Sequence, residues 1–132
     1  MLNYLKIKYY LIALISLSSL NAKAQEEIIR FESANPYTFN DIMTDLEDQE
    51  TQEVFGVLRL PEITGDEKLP VVLGVAGSLG WREHHLDYLE QYREQGIATF
   101  ELKSFQSRGI TSTVGSQSEV TMAAMVLDAY RA

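Results

Sequence analysis

Thirteen residues from Leu69 to Trp81, Leu-Pro-Val-Val-Leu-Gly-Val-Ala-Gly-Ser-Leu-Gly-Trp, do most to limit what this chain can fold into. Val71 to Ala76 is apolar without interruption, follows Pro70 and gives way to Gly77 and Gly80. That composition predicts a strand buried on both faces, as strands of parallel sheets are. Arg82 to Gln95 then carries Leu86, Leu89 and Tyr92 at helical spacing and meets a stop signal at Gly96. Ile97 to Leu102 alternates and predicts a second strand. Strand, glycine turn, helix and strand make one βαβ unit, whose crossover is right-handed. Its glycine turn falls at the carboxyl end of the first strand, where open α/β sheets place their ligands.

The N-terminal end has a different character. Lys6 and Lys8 lead into an uncharged, mostly apolar run from Tyr9 to Leu20, and Ala22-Lys23-Ala24 offers small residues at both positions of an A-x-A cleavage site. The run is short for a bilayer span and is diluted by Ser16, Ser18 and Ser19. Residues 1–24 are therefore expected to be a signal peptide cut after Ala24, leaving 25–132 as a secreted or periplasmic chain with no membrane partner. Its removal takes away three lysines and no acid, so the net charge moves from −8 to −11. Such a surface repels nucleic acid and anionic lipid. The absence of cysteine excludes disulfides, zinc–thiolate sites and a cysteine nucleophile within the chain, and a domain this small must rely on its core alone.

After the leader, Ile29 and Phe31 alternate with Arg30 and Glu32, which predicts a short edge strand ending at the Asn35-Pro36 turn. Asp41 to Glu53 holds six acids and no base and reads as a solvated connection with one helical turn after Asn40. Glu53 to Pro61 is a strand with Phe55, Val57 and Arg59 on one face and Val54, Gly56, Leu58 and Leu60 on the other. The short polar turn Ile63 to Lys68 predicts that this strand and Val71 to Ala76 pair as antiparallel neighbours. Lys103 to Thr113 is a long polar loop on the same sheet edge as the Gly77 turn. Ser116-Gln117-Ser118-Glu119 matches a capping box, opening a second helix with Val120, Ala123, Ala124, Leu127 and Tyr130 as its apolar stripe. No stop signal follows before Ala132. The fold class expected is α/β, a mixed sheet with antiparallel N-terminal edge strands, a βαβ unit and a second helix.

Three constellations could carry chemistry. Backbone amides of Gly77-Ser78-Leu79-Gly80, exposed where strand turns to helix, can hold an oxyanion or a phosphate, and Ser78 is also placed to cap the helix. Glu101 stands 21 residues past Gly80, but G-x-x-G-x-x-G is not the dinucleotide pattern, so no nucleotide or other cofactor is expected. His84 and His85 are adjacent and point about 100° apart on a helix, which does not suit a shared metal, so no metal is expected and both read as solvent-facing. No G-x-S-x-G elbow occurs, and Ser78 in Ala-Gly-Ser-Leu-Gly matches one only loosely, with neither histidine placed to turn back onto it.

Phe31-Glu-Ser-Ala-Asn-Pro36, Gly56-Val-Leu-Arg-Leu-Pro61, Leu69-Pro-Val-Val-Leu73, Gly77-Ser-Leu-Gly-Trp81, Ser104-Phe-Gln-Ser-Arg-Gly109 and Gly115-Ser-Gln-Ser118, in this order and spacing, resemble the N-terminal half of dienelactone hydrolase-like α/β-hydrolases. Two positions depart from that pattern: Ala76 stands where the family has a histidine and Lys103 where it has an aspartate. The resemblance implies a partial α/β-hydrolase fold over residues 25–132 that stops before the nucleophile elbow. It implies that the amides of Ser78 and Leu79 belong to an oxyanion hole, with Gly77, Gly80, Trp81 and Arg108 toward the substrate. Arg108 could meet a substrate carboxylate or tie down the loop backbone. The substrate implied is a small carboxylic ester or lactone, with nucleophile, acid and histidine outside this chain and the chain inactive alone. The alternative is a non-enzymatic secreted module that binds a small anion at the same loop.

Overall fold

The computed structural model describes residues 26–62 and 68–132; the expected leader and most of the turn at Ile63 to Lys68 lie outside the described residues. The elements are β1 (Glu26–Ala34), α1 (Phe39–Thr44), β2 (Thr51–Arg59), β3 (Val71–Gly74), α2 (Glu83–Glu94), β4 (Ala98–Leu102) and α3 (Met122–Arg131), with single 3-10 turns at Leu46–Asp48 and Gln106–Arg108. The strands form one mixed sheet in the order β1-β2-β4-β3. β1 and β2 are antiparallel with Ile29 opposite Gly56 and Phe31 opposite Val54. β4 runs antiparallel to β2 and parallel to β3.

This order corrects the expected pairing. β2 and β3 are not neighbours, because β4 returns from the crossover helix into the place between them and takes both as partners. A short connection permits a hairpin but does not enforce one. The same insertion moves the doubly buried position. β3 is an edge strand whose Val71 is 55% exposed, and every residue of β4 is buried. β4 is buried on both faces although Thr99 and Glu101 alternate with Ala98, Phe100 and Leu102.

Each face of the sheet has its own helix. Side chains from Ile29, Phe31, Val54, Leu58, Leu73, Phe100 and Leu102 pack together with Ala129 of α3. Gly56 is required in this layer, since a Cβ there would lie 2.2 Å from the Phe100 ring. A second cluster of Phe105, Val120 and Ala124 packs with Ile110 and Met125 and fastens α3 to the loop after β4. On the opposite face α2 lies over β3 and β4 through Leu89, near enough to Gly74 that a Cβ there would touch it.

Helix starts differ from the sequence expectation in an instructive way. α3 opens at Thr121, whose Oγ1 accepts from the Ala124 amide at 3.0 Å and donates to Pro36 O at 2.6 Å, while Ser116 to Glu119 closes only a turn. The tertiary bond to Pro36 favours the later cap over the better local match. Val120, Ala123, Ala124 and Leu127 are buried as expected, but Tyr130 is 90% exposed. α1 begins one residue before Asn40, with Thr38 and Asp41 capping each other. The Thr38 amide first, then its hydroxyl and the Tyr37 amide, hold the Asp41 carboxyl below its ordinary 3.8. Protonation is therefore easier in the unfolded chain, so the cap's contribution is complete above about pH 4 and is lost as pH falls through the lowered value. An NMR acid titration followed at the Thr38 amide is expected to show a midpoint below 3.8 that Asp41→Asn abolishes.

Candidate functional site

The carboxyl ends of β1, β3 and β4 lie on one edge of the sheet, and the loops that follow them meet there. Beyond Gly74 the chain turns sharply, with the Gly80 amide donating to Gly77 O at 2.8 Å. The turn is clamped from outside by the segment after β4: Ser78 O accepts from the Thr113 amide at 2.8 Å and from Ser112 Oγ at 2.9 Å. Gly80 sits buried against this clamp at φ +73, and a Cβ there would stand 2.5 Å from Thr111 O. Only glycine combines that backbone angle with that approach.

Peptide planarity turns these bonds into a directed site. In a trans peptide the carbonyl and the following N–H point oppositely. Gly77 O points into the turn toward Gly80, so the Ser78 N–H points out of it. Ser78 O points at Thr113 and Ser112, so the Leu79 N–H points away from them. Among the described residues neither amide donates a hydrogen bond, and both Ser78 and Leu79 are exposed. The turn thus presents two adjacent N–H groups without protein partners on a backbone fixed by three hydrogen bonds, donors of the kind a small anion can use.

The helix adds less than its sequence position suggested. α2 starts at Glu83 with Arg82 as N-cap, and His85 Nδ1 accepts from the Arg82 amide at 3.1 Å. Ser78 is therefore not the cap, and the dipole of α2, which acts within its first turn, opens beyond Trp81. Trp81 instead pegs the loop's far end to the sheet: its Nε1 donates to Leu102 O at 2.8 Å, and its ring fills the space where a Gly74 side chain would be. Lys103 Nζ lies 5.7 Å from the Trp81 ring centroid and pairs with Glu101.

Glu101 is a feature that sequence reading weighed only as a ribose ligand. Its carboxylate, 2% exposed, lies under α2 between Lys103 and Arg59, the latter at 2.7 Å. Burial works against the Arg59 charge, but the carboxylates of Glu101 and Glu26 outweigh it and raise the guanidinium above its ordinary value. Arg59 of β2 and Glu101 of β4 come to one face only through the register that sets these two strands side by side.

Arg108 is fully engaged within the fold. Its five N–H groups donate to Asn35 Oδ1, Ser104 O, Ala34 O and both oxygens of Asp128 at 2.6 to 3.0 Å. Tying down loop backbone is thus its work here, and a substrate carboxylate would have to displace one of these partners. His84 is exposed and His85 stands edge-on to Trp81, while Ser78 Oγ, among the described residues, hydrogen-bonds neither. Among the described residues no group of three or more His, Asp or Glu side chains is placed to hold a metal ion, and no helix is long and apolar enough to cross a membrane. No family model matches the chain, and no curated protein or solved structure matches it either.

Proposed function

We propose that residues 25–132 are the N-terminal part of a secreted dienelactone hydrolase-like α/β-hydrolase, acting on a carboxylic ester or lactone by nucleophilic acyl transfer. The observation that carries this reading is the pair of outward, unpartnered amides at Ser78 and Leu79 on a clamped turn between a parallel strand and the helix after it. In α/β-hydrolases one oxyanion donor comes from the loop between the third strand and the first helix, and the other from the residue after the nucleophile. Attack on the substrate carbonyl would place the developing oxyanion at these amides, and each such donor is worth about 3 to 4 kcal/mol of transition-state stabilisation. The nucleophile, acid and histidine would come from outside this chain. Ser78 does not supply the first, having neither histidine for a base.

The same unpartnered amides carry a second reading, a secreted module that holds a small anion without reacting with it. One pair of measurements tests both. Butylphosphonate, a tetrahedral anion, is expected to shift the Ser78 and Leu79 amide resonances selectively, and p-nitrophenyl acetate is expected to hydrolyse no faster than in buffer. Unmoved amides would remove the loop from either function. Turnover lost in Ser78→Ala would make Ser78 a nucleophile and overturn the assignment. A coding region that runs on past Ala132 into a nucleophile elbow supports the hydrolase, and one that does not supports the binding module.

A further inference from the structure

A second surface lies away from the loop. α1 and α3 converge on a groove of 280 Å³ lined by Phe39, Ile42, Met43, Val126, Leu127 and Tyr130. Its walls include large apolar side chains left in solvent: Met43 is 83% exposed and Tyr130 90%, and Phe39 and Val126 are exposed as well. On α3, Met122, Val126 and Tyr130 recur every fourth residue and form one exposed stripe beside the buried Ala123, Ala124 and Leu127. On α1, Phe39 and Met43 repeat the same spacing. Contiguous exposed apolar surface of this kind marks an interaction site.

Charge decides among occupants. α1 carries Asp41 in its first turn and is followed directly by Asp45, Glu47, Asp48 and Glu50, with no base before Arg59. The nearest cation on the other wall is Arg131, which donates to Glu32 O. A second copy would bring its own acidic run against this one, and an anionic bilayer would meet the same repulsion. A cationic amphipathic helix gains on both counts, laying apolar anchors in the groove and Lys or Arg along the acidic flank. We infer that the α1–α3 groove docks a cationic amphipathic helix of a partner protein.

The probe is a fluorescein-labelled 16-residue peptide with leucines at helical spacing and lysines elsewhere, beside a twin with glutamates for lysines, both read by fluorescence anisotropy. The lysine peptide is expected to bind, to weaken as salt rises, and to weaken about tenfold or more against Val126→Glu and Met43→Glu. The sign of these variants is informative. Each adds negative charge, so unspecific attraction of a cationic peptide would grow while docking in the groove is lost, and Met43 is too exposed for the change to disturb folding. Equal binding of the two peptides, unchanged or stronger binding to the variants, or no binding would overturn the inference. So would a dimer in sedimentation that Val126→Glu dissociates, since the occupant would then be a second copy.

Discussion

Asp128→Ala is expected to lower the thermal midpoint by about 15 °C or more. Asp128 is fully buried and Arg108 nearly so, with side chains 0% and 6% exposed. The carboxylate takes two bonds from the guanidinium and a third from Ser33 Oγ at 2.6 Å. Removing it leaves a buried cation without its counter-charge, which costs about 3 to 5 kcal/mol, a large part of the 5 to 15 kcal/mol or so that holds a domain together. The loss would not stay local. Through Arg108 this pair joins the end of β1 at Ala34, the loop after β4 at Ser104 and helix α3. Arg108→Met combined with Asp128→Leu should recover much of the stability, because no charge is then stranded. Circular dichroism melts of the two singles and the double form the cycle that isolates the pair. A double variant no more stable than the worse single would mean that the bonds to Ala34 and Ser104, not the charge pairing, carry the network.

That network shows where sequence reading reaches its limit. The elements themselves were legible: β1, β2, β4 and both long helices arise from local alternation, helical spacing and glycine stops. What pairs with what was not, because register and neighbour order follow from long-range packing. β4 carries Thr99 and Glu101, polar residues that suggest an exposed face, yet it is an interior strand buried along its length. It tolerates them because Arg93 donates to Thr99 Oγ1 at 2.7 Å and Arg59 and Lys103 flank Glu101. β3, apolar throughout, looks central and lies at the edge. A buried polar side chain is legible only together with its partner, and Arg59 stands 42 residues from Glu101.

At the candidate site the division is similar. Glycines marked the turn and its position after a strand, both local properties. The clamp was not visible, because Thr111, Ser112 and Thr113 read as ordinary loop residues until β4 and its loop are brought beside β3. Aim came from that clamp and from peptide geometry, not from the helix dipole that the sequence suggested.

Gly80→Ala and Gly77→Ala should therefore part company although the two glycines stand three residues apart in one turn. Alanine at Gly77 meets nothing within 4 Å and is expected to leave the thermal midpoint nearly unchanged. Alanine at Gly80 must adopt a left-handed backbone, at about 1 to 2 kcal/mol, and must also push Thr111 O, a backbone atom with no rotamer to yield. Relief comes only by parting the turn from the segment at Thr111 to Thr113, which breaks the bonds that hold Ser78 O. The expected result is a fall of roughly 10 °C in midpoint with faster hydrogen exchange at the Thr113 amide, and a weaker butylphosphonate response at Leu79. Ser112→Ala separates aim from stability, since it removes one of the two bonds to Ser78 O while leaving Gly80 and its fit intact. Its midpoint should move little while the Leu79 response still falls. An unchanged Leu79 response in both Gly80→Ala and Ser112→Ala would mean that the turn holds its amides in place without the clamp.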